Sequence, residues 1–141
     1  MAGMEALGRL NDVVPIASGA AIKFRGASAV QVVCTGADTF TITVSSSFGG
    51  SYASPGNIIS HYYQRADTNG THAWTRQTQA ASNAVVQGNA GYTTVFEVLT
   101  SMLGDPNDYI KVTASGSGLV TLVPHDLVTQ RKPANLEVLG S

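Results

Sequence analysis

The sequence predicts an all-β protein, an antiparallel β-sandwich or barrel of about eight short strands, and three observations carry that prediction. In "DTFTITVSS" apolar and polar residues alternate with period 2, Phe40, Ile42 and Val44 pointing one way and Thr39, Thr41, Thr43 and Ser45 the other. Turn formers recur about every 8 to 15 residues along the chain. The 141 residues are one domain's worth of chain, long enough to bury roughly two thirds of the unfolded surface around a single core.

Taken in order, the elements pair off as hairpins. "SAVQVVC" (28 to 34) leads through "TGAD" into the strand with the threonine-lined face. "NIISHYYQR" (57 to 65) and "THAWTRQTQ" (71 to 79) flank Asp67 to Gly70, with Asn69-Gly70 as a strong turn signal. "NAVVQG" and "TTVFEVL" flank Gly88 to Gly91, and "DYIKVTAS" and "LVTLVPHDL" flank Gly116-Ser117-Gly118. Between them, "FGGSYASPG" (48 to 56) reads as a long exposed loop. "LTSMLGDP" allows at most one short helical turn near 99–104, with Thr100 or Ser101 as cap and Gly104 then Pro106 ending it. The expected division is a single β domain over 1–141: an N-terminal arm 1–11, a β core 12–128 and a C-terminal arm 129–141.

Composition narrows function more than any motif does. Charged residues make up 12% of the chain against about 25% in an average soluble domain, while Thr numbers 14, Ser 13 and Gly 15. With a net charge of -1 and no basic cluster denser than Arg131-Lys132, nucleic-acid binding is disfavoured, since phosphate neutralisation supplies most of its affinity. No stretch approaches the roughly 20 apolar residues of a membrane helix. "MAGMEALGRLNDVV" has neither a basic leader nor an apolar run, so the expectation is a chain made in a cytoplasm, where the Asn69-Gly70-Thr71 sequon stays idle.

The candidate chemistry is sparse. His61 and His72 lie on the two arms of the second hairpin, about three residues out of register, and with His125 they offer no HxH, HxxxH or CxxC spacing for a metal. Ser115 and Ser117 lie in a turn and lack the spacing of a nucleophile elbow. Asp105 and Asp108 in "GDPND" read as turn chemistry. Cys34, the one cysteine, reads as a small buried hydrophobe. The expectation is therefore no catalytic residues, no cofactor and no metal. Trp74 has two readings: a core anchor, which the single Trp favours, or with Tyr62 and Tyr63 a platform on which a glycan stacks.

The phrases "CTGADTFTITV", "YYQRADTNGTHAWTRQTQAASNAVV", "TVFEVLTSMLGDPNDYIKVTASGSG" and "LVTLVPHDLVTQRKPANL" resemble small virion proteins encoded near the capsid genes of tailed bacteriophages, particularly those of actinobacteria. The type is the capsid decoration, or cement, protein. The resemblance spans the chain from about residue 28 onward and is one of texture and phrase. It implies a β-rich, non-enzymatic protein on the outer capsid surface, a homo-oligomer with a trimer favoured, and the major capsid protein as partner. It also implies contact through the arms, here Leu7, Leu10, Val13 and Val14 at one end and Leu136, Val138 and Leu139 at the other. The alternative function is a carbohydrate- or receptor-binding β module of a phage tail or fibre.

Overall fold

A computed structural model describes residues 12–16, 19–24, 26–104 and 107–127. Ten strands form two antiparallel sheets: β1 (Val14–Ile16), β2 (Ala21–Lys23), β3 (Ala27–Thr35), β4 (Thr39–Ser45), β5 (Ile59–Arg65), β6 (Thr75–Ser82), β7 (Ala84–Val86), β8 (Thr93–Leu99), β9 (Tyr109–Ala114) and β10 (Leu119–Leu127). One sheet has the order β1-β10-β3-β8-β5-β6 and the other β2-β9-β4-β7. The two do not close into a barrel, so the architecture is a sandwich.

Eight of these strands match the predicted ones, while β1 and β2 are additional, three residues each being too few to show a period. The connections differ more. β5 and β6 do pair as a hairpin, in the register that the Asn69-Gly70 turn predicts: His61 with Thr78, Tyr62 with Gln77, Tyr63 with Arg76. The other three expected hairpins are corrected. β3 pairs with β8 and β10 whereas β4 pairs with β7 and β9, so "TGAD" carries the chain from one sheet to the other. The β7–β8 and β9–β10 connections cross in the same way. A tight Gly- and Asp-rich turn serves a crossing as well as a hairpin, and packing of the two apolar faces decides which forms.

Asp38 ties these crossings together at one end of the sandwich. Its carboxylate accepts from the Gly118 N–H (2.5 Å) and the Ser115 hydroxyl (3.3 Å), and its carbonyl accepts from the Gln87 N–H (2.9 Å). Gly36, at φ 108°, lies so close to the last of the crossings that a Cβ there would sit 2.7 Å from the Gly118 Cα. Glycine is required on both counts.

The core lies between the sheets. Phe40 and Ile42 from β4, Ile110 and Val112 from β9, Ile22 and Val85 face Val30, Val32 and Cys34 from β3, Phe96 and Val98 from β8, and Val120 and Leu122 from β10. Each fully buried side chain of this kind contributes about 1.5–3 kcal/mol. Within the core Gln87 and Thr94 form one polar island: the Gln87 amide donates to the Thr94 hydroxyl, and its oxygen accepts from Gln64 (3.2 Å). Buried polar groups persist where they are satisfied in this way.

The helical turn is a 3₁₀ element, Thr100–Met102, and its expected cap is corrected. Leu99 holds the cap position without a side-chain bond, and the Thr100 hydroxyl instead donates to the carbonyls of Ala27 (3.0 Å) and Ser28 (3.1 Å). The loop after β4 is exposed as expected but anchored, since Ala53 and Val44 exchange backbone hydrogen bonds of 2.9 and 3.0 Å.

Candidate functional site

The outward faces of the two sheets differ in chemistry. On the smaller sheet Thr39, Thr41 and Thr43 face outward, with Thr113 beside Thr41 and Lys111 beside Thr43, which makes the predicted hydroxyl face. On the larger sheet the register lines up Pro15, Thr121, Val33, Val95, Tyr63 and Arg76, one residue from each of six strands. Leu119, Leu99 and Met102 near this row are 71%, 47% and 41% exposed. Four of the six places in this row are therefore apolar or aromatic, Pro15, Val33, Val95 and Tyr63, with Thr121 between the first two and Arg76 at the end, and they form an interrupted apolar strip on the outer face in which Val33 and Val95 are half-buried.

Tyr62 and Tyr63 are successive on β5 and so point to opposite sides. Tyr62 packs against the core, whereas Tyr63 is 42% exposed with its ring 6.2 Å from that of His61. Both tyrosines border a shallow groove of about 400 Å³ with Gln31, Glu97, Leu99 and Met102. Trp74 is not among its walls.

Trp74 is 45% exposed, which overturns its reading as a core anchor. The reason lies in the preceding loop. β6 begins at Thr75, so the alternation expected over residues 71 to 79 does not extend back to Trp74. Asp67 holds residues 70 to 72 in a turn: its carboxylate accepts from the Gly70 N–H (3.2 Å), the Thr71 hydroxyl (2.9 Å), the His72 N–H and His72 Nδ1 (2.8 Å), and pairs with Arg65 Nε (3.1 Å). Gly70, at φ 86°, provides the left-handed residue. Arg65 then donates to the His72 carbonyl and lies over the Trp74 ring, 4.9 Å from its centre. Burial acts to raise the Asp67 pKa, but the hydrogen bonds from His72, Thr71 and the Gly70 N–H outweigh it and hold the carboxyl well below its ordinary range.

The remaining candidates are dispersed. His61 is exposed on β5, His72 is in the Asp67 loop, and His125 on β10 meets Glu97 across the outer face at 2.9 Å. Among the described residues no three of His, Cys, Asp and Glu gather as a metal-holding group. Ser115 serves Asp38 and also accepts from the Thr39 N–H (2.9 Å). Ser117 is exposed in the β9–β10 crossing. Asp108 joins strands through its backbone, donating to the Ser45 carbonyl and accepting from the Phe24 N–H, both at 2.9 Å, while Asp105 lies outside the described residues. Cys34 is fully buried, as expected, and burial pushes its thiol up to about 12.

Of the arm residues, Val14 is in β1 opposite Leu122 and buried in the protein's own core, and Val13 is 43% exposed. Leu7, Leu10, Leu136, Val138 and Leu139 lie outside the described residues. Sequence reasoning missed the apolar outer strip. Its signal lies in the intermediate positions of "SAVQVVC" and "TTVFEVL", where valine or leucine occupies both faces of a strand. Compared with family models, with curated proteins and with solved structures, the chain matches none of them.

Proposed function

We propose that this is a non-enzymatic structural protein of a tailed-phage virion that decorates the outside of the assembled capsid, with the major capsid protein and further copies of itself as partners. The observation that carries the reading is the apolar strip across the larger sheet, from Pro15 through Val33, Val95 and Tyr63. Exposed apolar patches on small soluble domains mark contact surfaces. Three of the polar side chains are meanwhile occupied in holding loops: Asp67 in its turn, Asp38 and Ser115 at the crossings. The placement on a capsid comes from the sequence resemblance.

Co-sedimentation tests this directly. The protein is expected to pellet with preformed capsids of its phage and not to bind unassembled capsid subunits. Deleting residues 1–11 or 133–141 is expected to weaken that binding and leave the sandwich folded. Capsid binding is expected to change little with salt, because few charges are present to be screened. Equal binding by both truncations would rule out the arms, and loss of the preference for assembled shells would rule out decoration.

The exposure of Trp74 favours a second reading, a carbohydrate- or receptor-binding module. On that reading Trp74 emission is quenched by acrylamide and shifts when glycan is added. Tyr62, Tyr63 and Trp74 do not form one platform, since Tyr62 faces the core and the groove beside both tyrosines excludes Trp74. Decoration is therefore the better supported function.

A further inference from the structure

The Asn69-Gly70-Thr71 motif carries a second chemistry, one that needs no enzyme. Of the seven asparagines in the chain, only Asn69 precedes a glycine. Glycine offers the least crowded backbone nitrogen, and here that nitrogen can reach the amide carbon of the side chain before it. Attack by the Gly70 nitrogen forms a bond to Asn69 Cγ and breaks the Cγ–Nδ2 bond. The amide group leaves as ammonia, taking the proton that the Gly70 N–H gives up. Water then opens the cyclic imide at either carbonyl and leaves aspartate or isoaspartate at position 69. Thr68, Asn69, Gly70 and Thr71 are exposed, and a Cβ on Gly70 would meet nothing within 4 Å, so neither water nor the closing ring is obstructed.

In the folded loop, however, both reacting groups are held. The Gly70 N–H is donated to Asp67 Oδ1 (3.2 Å), on a carboxylate that is itself buried. Asn69 Oδ1 accepts from the Thr71 N–H (3.3 Å) and lies 2.9 Å from the Thr71 hydroxyl, which is also 2.9 Å from Asp67 Oδ2. Ring closure needs the Gly70 nitrogen to lose its proton and turn toward Cγ. Asp67 fixes that N–H along its own oxygen, and Thr71 ties down the side chain to be attacked.

We propose that Asn69 is a self-modification site gated by Asp67: the latched loop preserves the amide, and opening of the latch commits position 69 to the imide and its acid products. The change runs one way, because ammonia is lost. The product places a second carboxylate two residues from Asp67, where it competes for the same Thr71 donors. Isoaspartate also lengthens the main chain inside the turn. Either product keeps the loop from closing as before, and Arg65 then loses its hold on the His72 carbonyl and the Trp74 ring.

Peptide mass mapping of the purified full chain, incubated at mildly alkaline pH, reads the amide-to-acid mass gain at position 69. The native parent is expected to react about tenfold more slowly than the same chain unfolded in urea, since the reaction proceeds from the open loop. Asp67→Asn is expected to react about tenfold faster than the native parent, with circular dichroism unchanged. Thr71→Val, which keeps the shape and removes the hydroxyl, is expected to react several-fold faster and decides the matter if Asp67→Asn fails to fold. The modified fraction should show a red-shifted Trp74 emission. Equal rates in the native and urea-unfolded parent, folded variants no faster than the parent, or a mass gain confined to other asparagines would each overturn the proposal. None of these rates involves a capsid, so this inference and the decoration reading fail separately.

Discussion

Asp67 shows how one side chain decides what its neighbours can do. It holds Gly70, Thr71 and His72, and through Arg65 it places Trp74 at the surface. Asp67→Asn is expected to loosen the loop, with faster amide exchange at Gly70 and His72 and a red-shifted Trp74 emission, while the core strands keep their protection. The depressed carboxyl pKa fixes the pH window: the contribution is fully present above the unfolded value of about 4 and is lost as pH falls through the lower folded value. At pH 5 the loop should therefore remain latched. Cys34 runs the other way. Its folded pKa, about 12, lies above the 9.0 of an ordinary thiol, so its contribution is present below pH 9 and is lost as pH rises toward 12. A thiol reagent at pH 8 is expected to label the protein only after denaturant is added, and prompt labelling of the native chain would contradict the burial. Cys34 was legible because a lone cysteine in an alternating apolar strand is most often core. Trp74 was not legible, since the turn that displaces it depends on several groups converging on one carboxylate.

At the scale of elements, the crossings between sheets depend on close backbone approach at Gly36 and Gly118. Gly36→Ala adds left-handed strain to a 2.7 Å clash, and is expected to cost about 2–3 kcal/mol. By contrast Gly49, where an added Cβ would meet nothing within 4 Å and φ is not positive, should accept alanine within about 0.5 kcal/mol. Thermal denaturation of the two variants makes the comparison, and equal Tm values would mean that the crossing is not tight. This is also where the sequence and the fold part company. The strand over Thr39–Ser45 and the register around Asn69-Gly70 follow from local alternation and turn chemistry. The partners of β3, β4, β7, β8, β9 and β10 do not, because the same turn residues begin a hairpin or a crossing, and the choice rests on contacts far away in sequence.

For the whole molecule, the two unlike faces and the long β6 edge were hidden in the sequence because each depends on which strands end up adjacent. The hydroxyl face was readable from one strand; the strip from Pro15 to Tyr63 spans five. The crossings also have a consequence in time. With a single hairpin between strands adjacent in sequence among the described residues, nearly every strand pair must close a long loop before it gains any contact, and such topologies fold in milliseconds to seconds. The β5–β6 hairpin can form on its own within microseconds. Trp74 belongs to that hairpin's loop, so in a stopped-flow experiment its fluorescence is expected to change ahead of a probe on the β4–β9 pair. Coincident signals would mean that the hairpin waits for the sandwich. If the hairpin leads, an unpaired β6 edge is exposed while the rest of the chain is still searching, and the yield of refolded protein should fall as its concentration rises.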